Sequence, residues 1–182
     1  NSLPTHLFRY SVGSFFLLLV GLSLTLSYSR VKHNLSKNQL RIKFLKRGGS
    51  IFGFGILITL VTWIYPHNGF IVFGVLHCIG LSILLAYPFI GSRLSSFLVG
   101  LLCISIGVFL RIEVTVDFPW LLWLGFVPKH FYTLDYYPLL PYFGVVLMGI
   151  FLGNSLYQNN TRSFRLKDHS QFIVNREVCF LG

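Results

Sequence analysis

Long apolar stretches without charge constrain this chain more than any other feature. The run Tyr142–Leu152 contains no charged residue, and several further runs approach the roughly 20 residues that a helix needs to cross a bilayer. Only 11% of the 182 residues are charged, where soluble domains carry about 25%. Over half of the chain, 54%, is hydrophobic, and the mean hydropathy is +0.70. In hydrocarbon every backbone polar group must be satisfied within its own segment, so such runs fold as helices. The chain is expected to be all-α, a polytopic transmembrane bundle forming a single membrane domain over residues 1–182. Five spans are expected, roughly Tyr10–Tyr28, Gly48–Tyr65, Phe70–Ile90, Leu94–Leu110 and Leu139–Tyr157. The apolar stretch Phe118–Val127 is about ten residues, too short to span. With Trp120 and Trp123 it reads as an interfacial or re-entrant segment.

Charge then sets the direction of the bundle. Five spans place Arg30–Arg47, Arg93 and the tail after Tyr157 on one side. That side holds twelve of the fifteen Lys and Arg residues; Arg9, Arg111 and Lys129 fall on the other. The positive-inside rule makes the basic side cytoplasmic, with the loop over 29–47 and the tail over 158–182 inside and 111–137 outside. The expected location is a cell membrane, crossed several times. Topology and contact with lipid headgroups account for the basic run, so no nucleic-acid partner is implied. The sequons at Asn34 and Asn159 fall on the cytoplasmic side, where glycosylation is not expected. Cys78 and Cys103 read as membrane-buried thiols, and with Cys179 they show no metal or disulfide spacing. No metal site, nucleotide-binding loop or hydrolase motif is present.

The stretch Leu134–Gly153, LDYYPLLPYFGVVLMGIFLG, organises the candidate chemistry. Asp135 and two tyrosines lead into an apolar helix, and Pro138 and Pro141 suit its first turn, where a missing N–H costs nothing. Asp135 with Lys129, His130, Tyr132, Tyr136 and Tyr137 makes a polar, aromatic patch at that mouth. A carboxylate and an imidazole there would orient and deprotonate an acceptor, and rings would stack on a sugar. The plainer reading is an interfacial aromatic belt with Asp135 capping a helix. His77 sits mid-segment, flanked by Gly74 and Gly80, which allow close approach of a backbone or ligand. An ionisable group at that depth faces the bundle interior; the plainer reading is a neutral imidazole bonded to a neighbouring helix. Arg111, with Glu113 and Asp117, ends the fourth segment and reads plainly as a snorkelling arginine. Gly49-x-x-x-Gly53 is a candidate helix-packing face.

Two segments, FGVLHCIGLS at Phe73–Ser82 and LDYYPLLPYFGVV at Leu134–Val146, resemble the prokaryotic branch of the heparan-alpha-glucosaminide N-acetyltransferase catalytic-domain family. FLLLVGLSLT within Ser14–Arg30 and LLWLGFV at Leu121–Val127 fit the same resemblance. It implies a membrane-bound acyltransferase moving acetyl from cytosolic acetyl-CoA to an amino or hydroxyl group of a cell-envelope sugar or related acceptor. His77 and Asp135 match the motifs and become the catalytic candidates, with Arg111, His130, Tyr136 and Tyr137 as substrate-binding candidates. The resemblance also implies helices before Asn1 and after Gly182, the former holding the family's proposed catalytic histidine, so this chain is expected to be a piece of a longer protein. Membrane lipid, acetyl-CoA and a sugar-like acceptor are the expected partners, with self-association left open. Two other classes remain: a carrier for a small polar or lipid-linked solute, and a non-catalytic membrane scaffold.

Overall fold

The computed structural model describes residues 3–65, 69–113, 121–126, 133–158 and 161–162. It is a helical bundle: α1 Leu3–Val31, α2 Lys37–Ile64, α3 Val75–Ala86 continued by a 3-10 turn at Tyr87–Phe89, α4 Arg93–Glu113 and α5 Leu139–Leu156. A two-residue antiparallel pairing, Tyr157–Gln158 with Thr161–Arg162, follows α5. Four helices contain stretches long and apolar enough to cross a membrane: Ser11–Val31, Lys37–Ile64, Arg93–Leu110 and Leu139–Leu156. The chain is therefore a helical membrane protein.

Helix α5 is the centre. Half of its span is buried, against 11% for α2, and it packs between α1 and α4 and touches α3. Small residues bring the backbones together, as they do where lipid removes the hydrophobic drive between helices. A Cβ on Gly149 would strike the Leu18 carbonyl and lie 3.1 Å from the Gly21 Cα. The Thr25 hydroxyl donates to the Gly21 and Ile150 carbonyls at 3.2 and 3.4 Å, so one side chain ties α1 to α5. The core filling this junction includes Leu17, Leu24, Val146, Leu147 and Ile150, all fully buried. Outward-facing Phe15, Phe54, Leu94 and Phe109 are more than half exposed, as lipid-facing side chains are.

The basic stretch Arg30–Arg47, expected as a loop, is mostly helix. Only the residues between Val31 and Lys37 are non-helical. Ser36 caps α2 by accepting from the Gln39 N–H at 3.4 Å, while Gln39 accepts from the Ser36 N–H at 3.0 Å. This reciprocal box, Ser-x-x-Gln, satisfies two otherwise orphaned amides and starts the helix well before the apolar run. Leu40 and Phe44, one turn apart, bury against the bundle, and Phe44 lies between the rings of Tyr28 (6.3 Å) and Tyr87 (5.9 Å). The cations Arg41, Lys43, Lys46 and Arg47 point away and are exposed. At the same end Arg93 covers the Phe151 ring at 5.4 Å and Asn154 donates to the Ile90 carbonyl at 3.0 Å.

The third apolar run, expected as helix from Phe70, starts its helix only at Val75. Gly69–Gly74 instead lies along 133–137. Leu134 donates to the Gly69 carbonyl at 2.8 Å, Tyr137 to that of Phe73 at 3.1 Å, and the Thr133 hydroxyl to that of Phe70 at 2.8 Å. These bonds use backbone groups that a helix would have used internally. Residues 121–126 form a turn that docks on the start of α5 through Leu139 N–H to Trp123 (2.7 Å) and Leu140 N–H to Leu124 (3.1 Å). Gly125 takes φ +130° there, a conformation L side chains rarely adopt, and a Cβ would lie 2.9 Å from the Leu140 carbonyl. Pro138 stands at the N-cap of α5, and Leu140 breaks the first turn with φ −98° and ψ 128°.

Candidate functional site

The three non-helical pieces 69–74, 121–126 and 133–138 meet at the end of the bundle opposite the basic link, and they set the start of α3. The first helical amides have no partner within the helix. Two side chains answer two of them in succession. Asp135 accepts from the Val75 N–H at 3.0 Å through Oδ2, and His77 accepts from the Gly74 N–H at 3.4 Å through Nδ1. Gly74 makes room for the carboxylate, since a Cβ there would sit 2.6 Å from the same Oδ2. The two sequence candidates His77 and Asp135 are thus brought to one helix start, on consecutive backbone amides.

His77 is 5% exposed, and its ring is held by neighbours from α2 and from the 69–74 piece. Phe52 of α2 meets it edge-on at 5.3 Å and 89°, and Phe73 lies at 5.4 Å and 32°; both are favourable aromatic separations. Nε2 faces the Thr59 hydroxyl of α2 at 3.4 Å. Gly55 supplies the space for the ring: a Cβ on it would lie 3.0 Å from His77 Cγ and Nδ1. Gly80 lets α2 approach, with its would-be Cβ 2.6 Å from the Phe52 nitrogen. A cleft of about 410 Å³ opens here, lined by Phe52, Ile56, Thr59, Phe73, His77 and Trp123 among others. Its walls are apolar except at the His77–Thr59 pair.

Tyr136 donates its hydroxyl to the Leu122 carbonyl at 2.7 Å, securing the 121–126 turn. The Tyr137 ring packs against that of Tyr142 at 5.0 Å and a tilt of 52°, and its hydroxyl end packs against Gly13 of α1. Arg111 lies in α4, with its side chain outside the described residues, and His130 also lies outside them. Cys78, next to His77, is buried, its thiol 3.9 Å from the Pro138 carbonyl. Thr59, Gly55 and Phe52 had not been singled out in the sequence. The expected packing face Gly49-x-x-x-Gly53 points into open space, with nothing within 4 Å of either would-be Cβ. The face that packs is Gly48, Phe52 and Gly55, spaced four and three residues apart, one position out of phase with the motif.

A bundle of membrane-length helices with a polar pair in the lining of an otherwise apolar cleft defines a helical membrane protein with a pocket between its helices. Residues 2–182 match the family described as heparan-alpha-glucosaminide N-acetyltransferase, catalytic, and the chain belongs to that family. No curated protein and no solved structure matched it.

Proposed function

We propose that this chain forms part of a multi-pass membrane acetyltransferase that takes acetyl from acetyl-CoA and places it on an amino or hydroxyl group of a sugar-like envelope acceptor. In that reaction the acceptor's lone pair attacks the thioester carbonyl and the C–S bond breaks. The coenzyme leaves as the thiol, with the proton the acceptor gives up. The observation that carries the reading is the convergence of His77 and Asp135 on the Gly74 and Val75 amides, beside a cleft, in a member of an N-acetyltransferase family. An acyl transfer requires that reactants be held in register and that charge developing on the carbonyl oxygen meet a donor. His77 and Asp135 are the residues proposed for orienting the reactants, with Tyr136, Tyr137, His130 and Arg111 around the acceptor. The eight exposed Lys and Arg residues from Arg30 to Arg47 and at Arg93 support a cytoplasmic entrance that attracts the coenzyme phosphates.

Binding of labelled acetyl-CoA to membranes carrying the full-length protein tests this. Saturable binding, competed by unlabelled acetyl-CoA, is the expected result; its absence rejects the enzyme reading. His77→Ala and Asp135→Asn are expected to insert normally and transfer acetyl poorly. Unchanged turnover in both would leave the pair structural.

A further inference from the structure

The two nitrogens of the His77 ring have different partners, and one partner has no choice of role. The Gly74 amide facing Nδ1 is a backbone N–H, which only donates. The nitrogen opposite it must therefore carry the lone pair. A neutral imidazole holds one proton, so that proton is on Nε2. Nε2 faces Thr59 Oγ1 at 3.4 Å, and between them the ring donates and the hydroxyl accepts. The hydroxyl then still has its own O–H to present.

The ring cannot exchange these roles by turning over, because that would set a carbon against the Gly74 amide. Phe52 and Phe73 flank it, and the Gly55 backbone lies against its Cγ and Nδ1. In this state neither nitrogen offers a free lone pair to the cleft: one is held by Gly74 and the other is protonated. What the cleft receives is the Thr59 O–H, aimed by the ring that donates to its oxygen, within walls made by Phe52, Ile56, Phe73 and Trp123. A ligand suited to it is apolar around a single acceptor oxygen, as the carbonyl end of an acyl group is.

The geometry points to the Thr59 hydroxyl as the donor to the carbonyl oxygen of an acyl group in this cleft, with His77 as the positioning residue whose fixed Nε2–H holds the Thr59 oxygen, and not as a general base. The inference deepens the acetyl-transfer reading and rests on it only for the identity of that acyl group. In a site with few polar neighbours such a donor stabilises a developing oxyanion far more than in water.

The tautomer can be read directly. Nitrogen-15 spectra of histidine-labelled full-length protein in lipid nanodiscs, with the His77 signals assigned by their loss in His77→Gln, are expected to show a protonated Nε2 and an unprotonated Nδ1. The Nε2–H signal is expected to move on addition of acetyl-CoA. A proton on Nδ1, or an Nε2–H signal indifferent to saturating acetyl-CoA, overturns the inference. If acetyl-CoA does not bind at all, the transfer reading falls, and the ligand-free spectra still decide the tautomer. A second arm uses two substitutions of similar size. His77→Gln keeps an N–H and His77→Met does not. Positioning of the Thr59 hydroxyl by an N–H at this place predicts acetyl transfer within about tenfold of wild type for Gln and a loss of about a hundredfold for Met, the scale of one lost oxyanion donor. Equal losses in both variants would overturn the positioning role.

Discussion

The Asp135 carboxylate oxygen Oδ2 lies 3.0 Å from the backbone nitrogen of Val75, across sixty residues of sequence. This contact joins the loop before α5 to the first turn of α3, the short helix that carries His77. It places a negative group at a helix N-terminus, where the exposed amides and the helix dipole favour it. The position of His77 therefore depends on a residue from a distant part of the chain.

Separating the cap from the charge follows from that contact. Asp135→Ala removes the acceptor for the Val75 amide and is expected to lower stability by about 1 kcal/mol, whereas Asp135→Asn keeps an acceptor oxygen and stays close to wild type. Thermal unfolding in detergent compares the two. If both variants unfold at the same temperature, capping is not what Asp135 contributes to the fold.

Gly55 and Gly49 lie on the same helix and differ in what a methyl group would meet. Gly55→Ala drives a Cβ to 3.0 Å from the His77 ring, and overpacking of this kind costs about 1–3 kcal/mol. Gly49→Ala meets nothing within 4 Å and gains helix propensity, so its stability is expected to be unchanged or slightly raised. Melting temperatures check the ranking, and a reversed order would mean that α2 presents a different face to α3.

At the α1–α5 crossing, Gly149→Val forces branched atoms into the Leu18 carbonyl. The expected cost is about 3 kcal/mol, the upper end for overpacking, seen as loss of the monodisperse peak in detergent. Gly53→Val, which faces open space, serves as the control and is expected to elute as wild type.

Orientation is tested by thiol labelling of intact cells in a Cys179→Ser background. His130→Cys is expected to react with an impermeant maleimide from outside, and Lys43→Cys only after permeabilisation. The opposite pattern would reverse the bundle and remove the proposed cytoplasmic entrance for the coenzyme.

Much of this was legible in the chain. The apolar runs located α4 and α5 to within a few residues, because composition alone decides whether a segment can sit in hydrocarbon. The early start of α2 at Ser36-x-x-Gln39 did not stand out, because the density of Lys and Arg reads more readily as a loop. His77 and Asp135 stood out as polar residues beside apolar runs. Their partners did not. Thr59 and Gly55 are ordinary residues in an apolar helix, and their importance depends on how α2 is rotated about its axis. A shift of one residue turns a helical face by about 100°, which is why Gly49-x-x-x-Gly53 misled and Gly48, Phe52 and Gly55 pack.

The residues in order determined that the chain is a bundle of membrane helices with the cations from Arg30 to Arg47 gathered in one stretch, since charge and hydropathy act on each segment separately. Only the tertiary structure decided that Gly69–Gly74 forgoes helix to lie along 133–137, that Asp135 starts α3, and that one nitrogen of His77 is committed to Gly74. These are contacts between segments far apart in sequence, where each unpaired backbone group takes whichever partner the packing brings within reach.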